Sequence, residues 1–203
     1  MSSSAAWLAR SMRLCSLRSL VVLANFCKAS YYEGMKILLI ITGSVAAYKA
    51  AEFARLATKA GHSVTTIISK GGEQFIKPLQ ISSLTGEDVH TDLWDEMLHI
   101  DLTREADLVV VAPASADIIA KMAHGIADDL ASTTLLASNK QVYVAPAMNV
   151  EMWNKPSTQR NLEQIKADGI KIIDPCSGEL ACGEEGIGKL ADPEDILAAL
   201  DIK

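Results

Sequence analysis

Four loops of this chain carry residues able to do chemistry. Ser177 to Leu190 holds four glycines within eleven residues around one thiol, Cys182. So flexible a segment around a thiol suits a substrate-covering flap. Asn149, within Pro146-Ala147-Met148-Asn149-Val150-Glu151-Met152-Trp153, is able to hold a carboxylate or an amide. Met148, Met152 and Trp153, at near-helical spacing, read more simply as core than as a cofactor wall. Thr42-Gly43-Ser44-Val45 places a glycine and a hydroxyl before a helix, where unpaired N–H groups and the helix dipole favour a phosphate; the plainer reading of Ser44 is an N-cap. The G-x-G-x-x-G of a dinucleotide site is absent, since Ala46 and Tyr48 follow Gly43 instead, so the loop fits a mononucleotide better. In Pro113-Ala114-Ser115-Ala116-Asp117 small residues allow close approach to a ligand, and Ser115 and Asp117 offer polar groups at a helix start, where one of them also serves as a cap.

The elements that must position these loops are legible in the apolar pattern. Lys36 to Ile41 is a continuous apolar run, as expected for a parallel strand buried on both faces. The alanine-rich stretch after Val45 has Ala47, Ala50, Ala51, Ala54 and Leu56 at helical spacing, and Gly61 stands where a helix wants a left-handed stop. His62 reads as a surface residue after that stop, and VTTII as the second strand, which completes a β-α-β unit. Short helical turns over 71–86, a strand over Ala106 to Ala112, one or two helices over Ser115 to Leu136, and a strand over Gln141 to Ala145 follow. A helix over Pro156 to Asp168 ending at Gly169, a strand over Ile170 to Ile173, and a helix from Pro193 to Leu200 capped by Asp192 complete the chain. This alternation predicts an α/β fold, a three-layer Rossmann-like doubly wound parallel sheet in a single domain, with ligand chemistry at the carboxyl ends of the strands.

Composition narrows the function. The 203 residues are 49% hydrophobic and 22% charged, with a net charge of −6, which excludes disorder and fibrous repeats. Residues 1–34 are Ser-, Arg- and Ala-rich with no acid before Glu33, so the remaining domain, 35–203, is strongly acidic and a poor match for nucleic acid. The N-terminal segment has the composition of a transit peptide; the alternatives are a signal peptide, a structural arm, or an extension outside the fold. Its longest apolar stretch, Leu20 to Phe26, is far too short to span a bilayer. Cys176 and Cys182 are spaced C-x5-C with no histidine nearby, a poor zinc signal, so no metal is expected and the thiols read as free in a reducing cytoplasm, as do Cys15 and Cys27. Met97 and Met122 read as packing, and His62, His90 and His124 as ordinary lone histidines.

Taken together, PASAD (113–117), PAMNVEMW (146–153), ACGEEGIGKL (181–190) and LHIDL around His99 resemble the flavin-dependent cysteine decarboxylase family, most closely its members in coenzyme A biosynthesis. The similarity runs from Met35 to about Leu200 with the motifs in family order; Asp117 stands where the family has Asn or Asp. The resemblance implies a flavoprotein-type fold with FMN at the carboxyl edge of the sheet, near Gly43, Ser44, Ser69 and Ser115, with Ala114 and Asp117 close by and Met148 lining the flavin pocket. It implies His99 as active-site base or proton carrier, Asn149 as holder of the substrate's cysteine carboxylate, and Cys182 as the flap residue that protonates the product side. The implied reaction converts 4′-phosphopantothenoylcysteine to 4′-phosphopantetheine by thiol oxidation to a thioaldehyde, decarboxylation and re-reduction. A homotrimer or homododecamer, a separate phosphopantothenoylcysteine synthetase, and no nucleic-acid or membrane partner are the corresponding expectations. Two related readings are a flavin prenyltransferase, which would want a basic clamp for a prenyl phosphate, and a non-enzymatic phosphatase-regulating flavoprotein subunit, which would want damaged catalytic positions and an acidic tail.

Overall fold

The computed structural model describes residues 34–94 and 98–202. The expectations for the N-terminal extension, for Cys15 and Cys27, and for Met97 lie outside the described residues. In chain order the elements are β1 (Lys36–Ile41), α1 (Ala47–Lys59), β2 (Ser63–Ile68), a 3-10 turn (Gly72–Gln74), α2 (Pro78–Thr85), β3 (Val89–His90) and α3 (Leu98–Glu105). There follow β4 (Leu108–Ala114), α4 (Ala116–His124), α5 (Leu130–Ala137), β5 (Gln141–Pro146), α6 (Val150–Asn154), α7 (Pro156–Ala167) and β6 (Lys171–Ile172). β7 (Cys176–Glu179), β8 (Glu185–Lys189) and α8 (Pro193–Ala198) end the chain.

The main sheet has the order β3-β2-β1-β4-β5-β6 with every pairing parallel. Strand side chains alternate between faces. In β1, Ile37, Leu39 and Ile41 enter one core with α1, α2 and α8, whereas Leu38 and Ile40 enter the other with α3, α4, α5 and α7. Both faces are therefore dry, which explains the unbroken apolar run. α1 approaches closely because its buried face is mostly alanine, namely Ala47, Ala50, Ala51, Ala54 and Ala57, filled out by Phe53.

Several expectations shift in detail. β4 starts two residues late because the Ala106 N–H still bonds Leu102 O, continuing α3, and because the Asp107 carboxylate is turned to accept from Lys36 N–H at 2.8 Å. It runs on to Ala114, which pairs with Pro146 after a shift in register. The segment 115–136 resolves into two helices because Gly125 takes a left-handed φ of 65°. His62 is buried rather than on the surface, and its Nδ1 accepts from Met35 N–H at 3.1 Å. Ser44 is not the N-cap of α1; Ala46 holds that position, and Ser44 Oγ accepts from its N–H at 3.2 Å.

Candidate functional site

β1 and β4 are adjacent, yet the chain leaves them in opposite directions across the sheet. Their carboxyl ends therefore frame the crevice where open α/β sheets bind ligands. Thr42 ties the two ends together. Its buried hydroxyl donates to Pro113 O at 2.7 Å and accepts from Ser115 N–H at 2.9 Å. Beyond it, the N–H groups of Gly43, Ser44 and Val45 have no hydrogen-bond partner among the described residues. At Gly43 a Cβ would sit 3.2 Å from the Gly71 backbone, so glycine lets the loop pass.

The loop after β5 is fixed on both sides: Ala147 N–H donates to Ala114 O and Met148 N–H to Gly188 O, each at 3.0 Å. The second bond anchors the antiparallel β7–β8 hairpin, which is the segment expected to form a flap, over the sheet edge. Gly188 has φ 146°, and a Cβ there would stand 2.3 Å from Met148 O, so only glycine lets the hairpin seat. Together the loop after β1, the start of α4, the loop after β5 and the hairpin enclose a cavity of about 620 Å³. Gly43, Ser44, Ser115, Met148, Asn149 and Cys182 all line it.

Asn149 is the N-cap of α6: its Oδ1 accepts from Met152 N–H at 2.9 Å, which points Nδ2 away from the helix. Nδ2 donates to Glu184 Oε2 at 3.2 Å, and Cys182 Sγ donates to the same oxygen at 3.5 Å. Amide and thiol, 33 positions apart in the chain, thus converge on one edge of the cavity. Ser115 caps α4, accepting from Ile118 N–H at 3.3 Å, so its hydroxyl is engaged while it lines the wall.

Lys49 was not singled out from the sequence and is part of the wall. Its Nζ is buried and donates to Leu190 O at 2.9 Å and to Asp192 Oδ1 at 2.7 Å. That hydrogen bond, reinforced by the ammonium charge, holds the Asp192 carboxyl below the usual carboxylate range. Asp192 is at the N-cap position of α8, as expected, but its side chain makes no cap bond and turns to Lys49 instead. The available signal was a lysine on the otherwise apolar face of α1. Tyr48, Glu179 and Lys189 also line the cavity.

The other singled-out residues stand off this wall. Ser69 Oγ accepts from Gly72 N–H at 3.2 Å, Ala114 is fully buried in β4, and Asp117 pairs with Lys121 Nζ at 3.3 Å. His99 is half-buried on α3, in the layer opposite α1, and its Nδ1 is buried without a hydrogen-bond partner among the described residues. Of the three residues read as core, Trp153 packs against buried side chains, Met148 does so while also lining the cavity, and Met152 is 45% exposed at the cavity wall.

Comparison with known proteins adds the following. The Flavoprotein family model matches residues 28–203. The coenzyme A biosynthesis bifunctional protein CoaBC of Bacillus subtilis (strain 168) is 42% identical over 166 residues, covering 79% of this chain and 41% of that protein. The chain thus spans about two fifths of the length of the bifunctional relatives it matches. The probable phosphopantothenoylcysteine decarboxylase of Streptococcus mutans (serotype c, strain ATCC 700610 / UA159) is 40% identical over 173 residues, covering 82% of this chain and 97% of that protein. Among solved structures, a cysteine-to-serine mutant of PPC decarboxylase complexed with pantothenoylaminoethenethiol is similar at TM-score 0.75 and 34% identity, covering 81% of this chain and 94% of that one. The FMN-binding protein AtHal3 is similar at TM-score 0.72 and 35% identity, covering 81% and 93%.

Proposed function

The chain belongs to the flavoprotein family, and from that premise we propose that it is an FMN-dependent decarboxylase that converts 4′-phosphopantothenoylcysteine to 4′-phosphopantetheine in coenzyme A biosynthesis. The observation that carries this reading is the convergence of Asn149 and Cys182 on one carboxylate at a cavity that the free-amide loop at Gly43 also lines. The residues present fit FMN. Unpartnered N–H groups at Gly43, Ser44 and Val45 suit a phosphate, and Ala147, Met148, Met152 and Leu190 give an apolar face for a flat ring. A volume of about 620 Å³ lies within the range of cofactor sites.

When bound, FMN supplies a reversible hydride acceptor, so that the carbon bearing the thiol becomes a thioaldehyde and the departing carboxylate has an electron sink. The protein's own groups do the rest. Asn149 Nδ2, its direction set by the bond from Met152 N–H to Oδ1, donates to the substrate carboxylate and fixes the C–C bond to be broken. His99 takes the proton released from the substrate thiol. Loss of carbon dioxide would leave an enethiolate, and Cys182 Sγ would protonate its carbon beside nitrogen, the reduced cofactor being the group that would supply the hydride the saturated thiol requires. The hairpin over the cavity shields these steps from water. Ser69, Ala114 and Asp117 support the loops that hold the cofactor.

His99 stands off the wall of the cavity in its own chain, which supports a trimeric assembly, as such or as a homododecamer, in which a neighbouring copy supplies it. Exposed Tyr48, Phe75 and Leu79, at 65%, 54% and 77%, offer apolar surface for that contact. The synthetase that makes the substrate is its functional partner, and a reducing cytoplasm keeps Cys182 a thiol. Incubation of Cys182→Ser protein with the substrate tests the reading. Mass spectrometry should find the decarboxylated enethiol in place of the saturated thiol; unaltered saturated product would remove Cys182 from the protonation step, and substrate left intact by the wild type as well would refute the decarboxylase reading.

A further inference from the structure

Glu184 is a charged residue at the site for which the reaction above has no use. It lies at the tip of the β7–β8 hairpin, where Leu180 N–H donates to Glu184 O at 2.8 Å and Gly183 N–H to Leu180 O at 2.9 Å. With Gly183 at φ 82°, the tip is a closed turn with Cys182 and Glu184 on either side of the glycine. One oxygen of its carboxylate, Oε2, accepts from both the Cys182 thiol and the Asn149 amide. The two donors differ in what holds them. Asn149 is fixed by its cap bond to α6, while Cys182 is exposed on the hairpin and has no other hydrogen-bond partner among the described residues.

We propose that Glu184 is the positioning residue for Cys182: its carboxylate bridges the thiol to the anchored Asn149 amide, so that the closed hairpin presents the proton donor beside the place where the substrate carboxylate binds. An amide nitrogen carries two hydrogens. Glu184 takes one, and the second remains for the substrate. Glu184 has no ion-pair partner among the described residues, and of the two lysines of the wall, Lys49 and Lys189, the first is committed to Asp192. The carboxylate is therefore available for both donors. The destination of the proton rests on the decarboxylase reading; the tethering of the thiol does not.

The test uses full-length FMN-loaded protein as wild type, Glu184→Ala and Glu184→Gln. Two quantities are read: the ratio of saturated to enethiol product, and the rate at which iodoacetamide alkylates Cys182 at one fixed pH, followed by peptide mass spectrometry. Loss of a charge-assisted hydrogen bond predicts that Glu184→Ala lowers the saturated fraction about tenfold and speeds alkylation severalfold, while carbon dioxide release falls by less than about threefold. Glu184→Gln keeps an acceptor oxygen and should recover most of both. Wild-type product ratio and wild-type alkylation in Glu184→Ala would overturn the proposal. Should the wild type release no carbon dioxide, the decarboxylase reading fails by itself; alkylation then decides, with faster reaction in Glu184→Ala supporting the tether and equal rates refuting it.

Discussion

Asn149 serves two masters. Its Oδ1 caps α6 and its Nδ2 faces the cavity, so substitutions separate stability from substrate binding according to which atom they change. Asn149→Asp keeps the capping oxygen but turns the cavity-facing donor into an anion beside Glu184 and the substrate carboxylate. We expect thermal stability within about 0.5 kcal/mol of wild type and KM raised at least about tenfold, read from melting curves and steady-state kinetics. Asn149→Ala should lose both, with about 1 kcal/mol of stability gone along with the cap. The chemical residue types were legible because few side chains other than Asn149 and Cys182 suit their loops. Their shared partner Glu184 was not, since nothing in the segment marks which of its three acids, Glu179, Glu184 or Glu185, a hairpin turn will bring to which donors. The pairing of Lys49 with Asp192 escaped notice for a related reason: 143 positions separate them, and only the docking of α8 against α1 joins them.

The glycines of the hairpin show where local reading fell short at the level of elements. Four glycines in a short span read as flexibility, yet Gly186 pairs with Gly178, Gly188 falls at the shift in register of the hairpin, and the two permit close approach to Val150 and Met148. Gly188→Ala should therefore unseat the hairpin, with protease cleavage within 176–189 increased while the main sheet stays folded, as limited proteolysis and circular dichroism would show. The Lys49–Asp192 pair, which holds the start of α8 to α1, has a defined pH signature. The Asp192 carboxyl lies below its ordinary value of 3.8, so the stability it adds is complete above that pH and is lost as pH falls through the lower folded value. Wild type and Asp192→Asn should differ in urea midpoint at about pH 6, and the difference should shrink as pH falls below 3.8. Strands β1, β2, β4 and β5 and helices α1, α4 and α7 were legible, because a sheet covered on both faces demands runs such as Lys36 to Ile41 and because Gly61, Gly125 and Gly169 stop helices with left-handed φ, whereas β3, α3 and α6 were not anticipated. The termini of β4 were not, since they depend on pairing with β5 rather than on local pattern.

At the scale of the whole molecule, the doubly wound order puts β1 and β4 at the centre and so creates the crevice, while the same order places α3, with His99, in the opposite layer. If assembly supplies His99 from a neighbouring copy, two variants that make no saturated product should complement each other. His99→Asn and Cys182→Ser chains, mixed and reassembled, should regain part of the saturated-product activity that neither has alone, and light scattering should show a trimer or a multiple of it; a mixture as inactive as its components would assign His99 no place in a shared site. The account as a whole rests on a flavin and a carboxylate meeting in this cavity. The most direct measurement is made on the purified full-length protein: its absorbance spectrum, then carbon dioxide release on addition of 4′-phosphopantothenoylcysteine. A yellow protein with FMN bound that releases carbon dioxide from this substrate is the predicted result. A colourless protein that takes up no FMN, or a yellow one that leaves the substrate intact, would contradict it.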